Sequence, residues 1–384
     1  MAARQRAEVY LEELSNLRGL NKKPLFPGVV CLEKASLPSY KISEVHINMK
    51  KLGRILLWAL ITLTVLLIVG ISFTIGWRPF IGPRARPTSN RKFERTPERA
   101  ARGRYLVAGL AGCETCHTPK DWNTNGAPNL QGMELAGQVI PISDLPGRVV
   151  ASNLTPDPET GSGNWSDDEI ARAVREGIAH DGRTIFPMMP YIGYRVISDE
   201  DLASIVVYLR SVPAVRNPLP PTRVTFPVNY LIRTVPQPLT DSVSGPDPQS
   251  DPVKRGKYLT SIGCGCHVAA DQNGPIRGLE YGGGEVLKGP WGEVTSANLT
   301  PDPTGIKYYD EALFVQTMRT GYVKARKLAS IMPFGEFSSL NDDDLKAIFA
   351  YLRTLTPVKH AVDNSLPPTY CKLCRKKHGA GDQN

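Results

Sequence analysis

Residues 113–117 read Cys113-Glu114-Thr115-Cys116-His117, two thiols on one helical turn with a histidine directly after the second. Each thiol of such a turn can add to one vinyl group of a haem, and the adjacent imidazole then faces the iron. A neutral imidazole suits iron. A chance pair of cysteines, or half of a zinc site, would give the same Cys-x-x-Cys-His pattern. A second copy downstream favours c-type haem.

The chain beyond residue 97 contains an internal repeat. Each copy has Arg-Gly-x-Tyr-Leu, a Cys-His pair, Asn-Leu-Thr-Pro-Asp-Pro, Met-Pro-aromatic and a helix with acidic residues in its first turn. These landmarks lie at 102–106, 116–117, 153–158, 189–191 and 198–211 in the first copy, and at 255–259, 266–267, 298–303, 332–334 and 341–354 in the second. Five landmarks in one order predict two domains of the same fold.

The second haem motif, Gly263-Cys264-Gly265-Cys266-His267, departs from the first. Counted back from His267, Cys266 occupies the position of the second thiol and Gly263 that of the first. Cys264 therefore lies one residue after the expected position of the first thiol. Three readings follow: one thioether through Cys266, a second through Cys264 with altered geometry, or loss of the haem. His267 in register argues against loss. Pro119 of the first copy is Ala269 here, which would change the backbone offering a carbonyl to the histidine.

The sixth iron ligand is predicted to be a methionine thioether, which raises the reduction potential when paired with histidine. Met189 and Met332 both precede a proline, whereas Met188 aligns with Ile331, so Met189 is preferred over Met188. Core packing is the alternative role for such methionines. His180 is a weaker candidate ligand and is expected on a solvated loop. The predicted haem-attachment residues are Cys113, Cys116, His117, Cys264, Cys266 and His267, and the predicted iron ligands are His117, Met189, His267 and Met332.

The C-terminal tail contains Cys371-Lys372-Leu373-Cys374-Arg375, with arginine where a haem motif needs histidine. A third haem is therefore not expected. A disulfide is the simplest reading in an oxidising compartment. A metal bound by both thiols and His378 is a weak alternative, because only three ligands are visible. His360 shows no functional signal.

Residues Ile55 to Trp77 form an uncharged apolar run of 23 residues, long enough to span a bilayer core of roughly 30 Å. No cleavage site follows it, which predicts an uncleaved anchor. Lysine and arginine counts on the two sides do not favour an outward C-terminus. Bacterial c-type haem ligation is periplasmic, so a single-pass inner-membrane protein with periplasmic haem domains is expected nonetheless.

The predicted fold is all-α: a transmembrane helix followed by two helical haem domains. Its divisions are 1–48, an N-terminal tail or an extension wrongly assigned upstream of a natural translation start at Met49; 49–78, the anchor; 79–96, a linker; 97–212, the first domain; 213–250, a Pro-rich linker; 251–359, the second domain; and 360–384, the C-terminal tail. The formal net charge of +9 comes from scattered residues. Nucleic acid is therefore not expected as a partner, while lipid headgroups or an acidic protein are.

The quoted landmarks, over residues 97–360, resemble class I cytochrome c domains and, more closely, the membrane-anchored multihaem cytochrome c subunits of bacterial alcohol and gluconate dehydrogenases. Those subunits often have three such domains, and this chain has two. The resemblance implies that the first and last helices of each domain cross. Gly103 and Tyr105 should then meet the helix of Tyr208. Gly256 and Tyr258 should meet the helix of Tyr351 in the same way.

The resemblance implies two covalently bound haems that transfer electrons to or from a redox partner, without a catalytic centre of the chain's own. That partner would be a dehydrogenase, a respiratory complex or a soluble cytochrome. A diheme peroxidase is the main alternative, but it needs an iron with an open position. A cytochrome subunit of a quinol-oxidising complex or terminal oxidase is a third possibility.

Overall fold

The computed structural model describes residues 49–124, 127–247, 251–271 and 274–384. The prediction for residues 1–48 lies outside this part of the chain. The chain separates into a unit that ends at Thr64 and a unit from Val65 to Asn384. The second unit contains both copies of the repeat.

Helix α1, Met49–Phe73, is the one helix of the described residues that is long and apolar enough to cross a membrane. The apolar window of this 25-residue helix has a mean hydropathy of 2.6, and none of it is buried. At 1.5 Å per residue the helix is about 37 Å long, which exceeds a hydrocarbon core of about 30 Å. It begins six residues before the predicted apolar run and ends four residues before the end of that run.

The first copy of the repeat is built from short helices with local caps. After the short helix α2, Arg78–Ile81, which precedes this copy, they are α3, Pro97–Arg104, which continues as a π-helical turn, Tyr105–Leu110; α4, Cys113–His117; α5, Asp167–Glu176; and α6, Asp199–Ser211. Ser166 and Glu169 form a capping box at the start of α5, as the Ser-x-x-Glu spacing in the sequence predicts. Ser198 caps α6 by accepting a hydrogen bond from the Asp201 amide.

The second copy repeats this order after a short connecting helix. The connecting helix is α7, Val228–Leu231, and the second copy contains α8, Pro252–Gly263; a 3₁₀ turn, Gly265–His267; α9, Glu311–Thr320; α10, Phe334–Phe337; and α11, Asp342–Thr354. Asn341 caps α11 as Ser198 caps α6, since its side chain accepts from the Asp344 amide. The predicted last helix of each copy therefore begins at the expected residue.

Six small antiparallel sheets of two strands each accompany the helices in the described part of the chain. They pair β1, Gln138–Val139, with β3, Val150–Ala151; β2, Gly147–Arg148, with β4, Arg223–Val224; β5, Ala270–Asp271, with β6, Gly274–Pro275; β7, Val286–Gly289, with β8, Gly292–Thr295; β9, Tyr322–Val323, with β10, Arg326–Lys327; and β11, Pro368–Tyr370, with β12, Lys377–Gly379. The fold is thus mostly helical, not strictly all-α as predicted. Strands of two to four residues are too short to show alternation in the sequence.

Glycines let the first and last helices of each copy cross at backbone contact. A Cβ at Gly103 would collide with the Ser204 carbonyl and the Tyr208 side chain. A Cβ at Gly256 would collide with the Ala347 carbonyl. The predicted crossing of α3 with α6, and of α8 with α11, is confirmed.

The two tyrosines of the repeat reach beyond this crossing into the other copy. The Tyr105 hydroxyl donates to Asp344 Oδ2 at 2.5 Å, and Arg255 pairs with Asp344 Oδ1 at 2.5 Å. Asp344 is fully buried and lies in the first turn of α11. One carboxylate therefore joins a tyrosine of the first copy to an arginine of the second.

The reciprocal contact has the same form. The Tyr258 hydroxyl donates to Asp201 Oδ2 at 2.7 Å, and Arg102 pairs with Asp201 Oδ1 at 2.8 Å. The two copies are consequently related by an approximate two-fold arrangement at this interface. The resemblance predicted contacts of Tyr105 and Tyr258 with the last helix of their own copy, but their hydroxyls bond to the last helix of the other copy.

One apolar core runs through both copies. It includes Leu106 and Leu110 from the first copy together with Leu259, Phe337 and Leu340 from the second. A Cβ on Gly263 would lie 2.9 Å from the Leu110 carbonyl oxygen, so the two backbones are almost in contact there. The two copies therefore pack directly against each other.

The connector lies along the first copy. Val215 accepts a hydrogen bond from Asn153, the Asn217 side chain donates to the Ala136 carbonyl at 2.9 Å, and β4 pairs with β2. Because these bonds link it to the first copy at several points, the connector is part of that copy's packing.

We expect Asp344→Ala to lower the free energy of unfolding by about 2–4 kcal/mol, because it removes a buried acceptor shared by Tyr105 and Arg255. Urea denaturation of the haem-loaded protein in detergent measures this. Asp343→Ala is the matched control, because Asp343 is an exposed neighbour in the same helical turn. It should change the free energy by no more than about 0.5 kcal/mol. Equal effects of the two substitutions would contradict the interface role.

Candidate haem sites

The first site starts from a single helical turn. Gly112 adopts a left-handed conformation with φ of 55°, and α4 begins at the next residue. Cys113 and Cys116 are free, half-buried thiols of this turn. The turn therefore presents two thiols and the His117 ring from one short piece of backbone, which is the donor set that c-type haem requires.

The His117 ring is held by a distant carbonyl. Its Nδ1 lies 2.7 Å from the Ser152 carbonyl oxygen. Since a carbonyl only accepts, Nδ1 carries the hydrogen and Nε2 is left as an unprotonated donor atom for a metal. Burial lowers the pKa of His117, against the opposing effect of the Ser152 bond. The neutral, ligating form of the ring is therefore favoured.

The second site repeats this bond. His267 Nδ1 lies 2.7 Å from the Ala297 carbonyl oxygen, and burial again lowers the pKa of the ring. The orienting carbonyl is thus the one before the Asn-Leu-Thr sequence in both copies. The expectation that exchanging Pro119 for Ala269 alters the orienting carbonyl is wrong, because neither residue provides it.

The asparagine of the Asn-Leu-Thr-Pro-Asp-Pro repeat fixes that carbonyl in place. Asn153 Oδ1 accepts from the Thr155 amide at 2.9 Å and from the Thr155 hydroxyl at 2.7 Å. Its Nδ2 donates to the Val215 carbonyl at 2.7 Å. Asn153 is 3% exposed, so these bonds are shielded from water. The loop that ends at Ser152 is therefore tied to the segment beyond α6.

Asn298 makes the same bonds in the second copy. It accepts from the Thr300 amide and hydroxyl at 2.9 and 2.8 Å and donates to the Val358 carbonyl at 2.7 Å. Sequence reasoning used this motif only as a landmark of the repeat. Its identical recurrence at 153–158 and 298–303 could have indicated that the motif has a structural role beside each histidine.

The second motif has a different local backbone. Helix α8 ends at Gly263, and the Cys264 amide still donates to the Thr260 carbonyl at 2.9 Å. A 3₁₀ turn then covers Gly265–His267. Cys264 is 8% exposed and belongs to the core, whereas Cys266 is exposed. The two thiols therefore differ in exposure, whereas Cys113 and Cys116 are both half-buried.

The two methionine loops share one backbone pattern. The Met189 amide donates to the Phe186 carbonyl, and the Tyr191 amide donates to the Met189 carbonyl. The bonds of Met332 are equivalent, to the Ala329 carbonyl and from the Phe334 amide.

This equivalence supports pairing Met189, not Met188, with Met332. Met188 packs in the same small apolar cluster as Cys116, so it is also close to the first site.

The two sites adjoin each other. Burial, and after it the Cys266 thiol, raises the pKa of Cys116 to about 11, which places the second motif within electrostatic range of the first. Glu336, four residues after Met332, pairs with Lys120 at 2.9 Å and accepts from Thr115 at 3.2 Å. The side chains of this ion pair are 7% and 10% exposed. The loop of the second methionine is thus docked on the first haem motif.

The other histidines and cysteines fall into two groups. His180 is exposed, with its ring 4.5 Å from that of Trp165. His360 is fully buried beside Cys371, Cys374 and His378, and the ligand atoms of these four residues lie within 4.8 Å of one another. His360, which shows no functional signal in the sequence, therefore brings the candidate ligands of the tail to four instead of three.

Comparison with known proteins supports the resemblance to cytochrome c subunits. No protein-family model matches the chain. It is 32% identical over 286 residues to a nicotinate dehydrogenase subunit of Pseudomonas putida and 31% identical over 274 residues to the gluconate 2-dehydrogenase cytochrome c subunit of Pantoea cypripedii. It is 27% identical over 277 residues to a diheme cytochrome c-type protein of Cereibacter sphaeroides.

These matches cover 70%, 66% and 68% of this chain and 22%, 59% and 87% of the three relatives. The chain therefore spans less than two thirds of either dehydrogenase subunit. Its homologues include cytochrome c subunits of dehydrogenases and a diheme cytochrome c. The predicted resemblance is confirmed.

Proposed function

We propose that this protein is an electron-transfer protein with two covalently bound c-type haems. The observation that supports this most is the repeated geometry in which each Cys-His pair has its imidazole Nδ1 bonded to a carbonyl and its Nε2 left for iron. A haem held there supplies a one-electron couple between ferrous and ferric iron. The homologues are cytochromes, which agrees with this role.

In this proposal Cys113 and Cys116 would hold the first haem, and His117 and Met189 would bind its iron. Cys266 would hold the second haem, and His267 and Met332 would bind its iron. An iron with both a histidine and a thioether ligand would have no position left for a substrate. The chain is therefore an electron-transferring subunit and not a catalytic one.

The contact between the two sites supports electron exchange within the chain. The Lys120–Glu336 pair and the shared apolar core hold the second methionine loop against the first haem motif. A buried, packed contact of this kind keeps the separation of the haems constant. Electron exchange between haems held at these two sites would then need no domain movement.

The proposed location is the inner membrane, with α1 as the single anchor and both haem domains on the periplasmic side. The apolar length of α1 supports the anchor. Periplasmic haem ligation in bacteria supports the orientation. By analogy with the relatives, the proposed partner is a dehydrogenase, and the net charge of +9 favours an acidic docking face on it.

The function is tested on full-length protein purified from carbonate-washed bacterial membranes with its native partners. We expect the protein to remain in the washed membranes, to contain two haems per chain and to be reduced by the substrate of a co-purifying dehydrogenase. Neither reduced haem should bind carbon monoxide. Met189→Ala, which opens one iron, is the positive control for carbon monoxide binding. Binding to the unaltered protein would instead support a peroxidase-type enzyme.

Met189→Ala should leave both haems attached while lowering the potential of one, because water or another ligand replaces the thioether. The Met-to-iron absorption band of the oxidised protein should fall to roughly half its intensity, since Met332 still ligates the other iron. Met188→Ala is the matched control and should keep the full band. The reverse result for the two variants would assign the ligand to Met188.

Cys266→Ala should remove the covalent link of the second haem, whereas Cys264→Ala should keep it, because the Cys264 thiol points into the core. Intact-mass measurement of the denatured full chain counts the attached haems: one after Cys266→Ala and two after Cys264→Ala. The pyridine haemochrome of the second haem should show one saturated vinyl group. Loss of the second haem in Cys264→Ala would overturn the single-thioether proposal.

A further inference from the structure

The C-terminal tail brings together four buried side chains with metal-binding atoms. His360, Cys371, Cys374 and His378 are each no more than 1% exposed, and one ligand atom from each lies within 4.8 Å of all the others. Both cysteines are free thiols. Neither the proposed haem sites nor the electron-transfer role uses any of these groups, so the cluster needs its own explanation.

Both histidine rings are turned the same way, with Nε2 toward the cluster and Nδ1 on a backbone carbonyl. His360 Nδ1 lies 2.8 Å from the Gly282 oxygen, and His378 Nδ1 lies 2.9 Å from the Gly379 oxygen. A carbonyl only accepts, so each Nδ1 carries the hydrogen and each Nε2 presents a lone pair. These outward carbonyl bonds are the usual support of metal-binding histidines.

The two Nε2 atoms are 3.3 Å apart, and His360 Nε2 is 3.4 Å from Cys371 Sγ. In this tautomer no hydrogen lies between the two nitrogens, so their lone pairs face each other in a buried space. A cation between them would turn this repulsion into attraction. The nearby sulfur atoms indicate that the cation is a thiophilic metal.

Two of the distances between ligand atoms match those of a tetrahedral metal site. With zinc bonds of about 2.0–2.1 Å to nitrogen and 2.3 Å to sulfur, two nitrogen ligands lie about 3.3 Å apart and a nitrogen and a sulfur about 3.6 Å apart. The observed distances of 3.3 and 3.4 Å agree with these values.

Local structure explains how the tail builds this arrangement. Strands β11 and β12 form a hairpin that places Cys371 after one strand and His378 within the other. Arg375 takes a left-handed conformation with φ of 61°, and the Cys371 amide closes the turn on the Lys376 carbonyl at 2.9 Å. Cys374 lies inside this turn. The thiols of Cys371 and Cys374 therefore lie close to the ring of His378.

We propose that His360, Cys371, Cys374 and His378 bind one Zn²⁺ ion in a closed structural site. The ion replaces the two thiol protons, which leave to solvent as two sulfur–zinc bonds form. Two thiolates balance the charge of Zn²⁺, so the completed site is neutral, as burial demands. Four protein ligands leave no position for water, which makes the role structural.

The ion fastens the tail to the backbone beside the second haem motif. A Cβ at Gly284 would lie 2.7 Å from His360 Cε1 and 2.9 Å from Cys374 Cβ, so this loop is packed directly on the ligands. The neighbouring Gly283 amide donates to the His267 carbonyl at 2.9 Å. The site thus braces the loop next to the proposed iron ligand His267.

The test uses the full-length, haem-loaded protein purified without chelators. Elemental analysis should give one zinc per chain, and X-ray absorption at the zinc edge should show two sulfur ligands at about 2.3 Å and two nitrogen ligands at about 2.0–2.1 Å. His360→Ala and Cys374→Ser should each remove the zinc while the attached haems remain. His180→Ala, which changes an exposed histidine outside the cluster, should keep it.

A Cys371–Cys374 disulfide, seen as a chain two hydrogens lighter and free of zinc, would overturn the proposal. So would another metal at the site, or zinc with a different ligand set in the unaltered protein. Iron measured in the same sample separates this result from the electron-transfer proposal, because iron reports the haems and zinc reports the tail. The absorption measurement needs no variant, so a substitution that prevents folding does not decide the outcome.

Discussion

The hydrogen bond from each motif histidine to the carbonyl before Asn-Leu-Thr organises the rest of each domain. It sets the tautomer of His117 and His267, and so leaves Nε2 of each ring as the nitrogen that would bind iron in the proposed haem sites. The same loop is tied by Asn153 or Asn298 to the segment that follows the last helix. A short cysteine turn, a central loop and the end of the domain are thereby held around one imidazole ring.

The two domains then depend on each other through a pair of buried carboxylates. Asp201 and Asp344 each sit in the first turn of a last helix, bind an arginine of their own copy and accept from a tyrosine of the other. A buried carboxylate is tolerated when its oxygens are paired in this way. Because each copy completes the charge pairing of the other, the two copies pack as one compact unit, which suits the proposed electron exchange over a fixed distance.

The two copies differ in the segment that follows their last helix. Asn153 holds Val215 at the start of the Pro-rich connector, and Asn298 holds Val358 at the start of the tail. The connector goes on to cover the first domain, where β4 pairs with β2. The tail instead forms the cluster of His360, Cys371, Cys374 and His378. Equivalent positions thus lead to a packed linker in one copy and to the proposed zinc site in the other.

Features encoded by neighbouring residues could be predicted from the sequence. The Cys113–His117 motif, the caps at Ser166, Ser198 and Asn341 and the apolar helix are all local patterns within one turn or one helix. The resemblance to class I cytochrome c domains added the crossing of α3 with α6 and of α8 with α11, which the glycine contacts confirm. Strands of two to four residues were missed, since no periodicity develops over so short a length.

Only the tertiary structure decided which distant groups meet. Tyr105 bonds to Asp344, 239 positions away, and His117 bonds to a carbonyl 35 positions away, although nothing in the local sequence of either partner specifies the other. His360 showed no functional signal because the other members of the cluster lie between 11 and 18 residues further along the chain, in a hairpin that the sequence does not reveal. The sequence by itself determined the chemistry available at each position. The packing of helices and loops determined which of those groups share a site, because hydrogen bonds and metal ligation act only over a few ångströms.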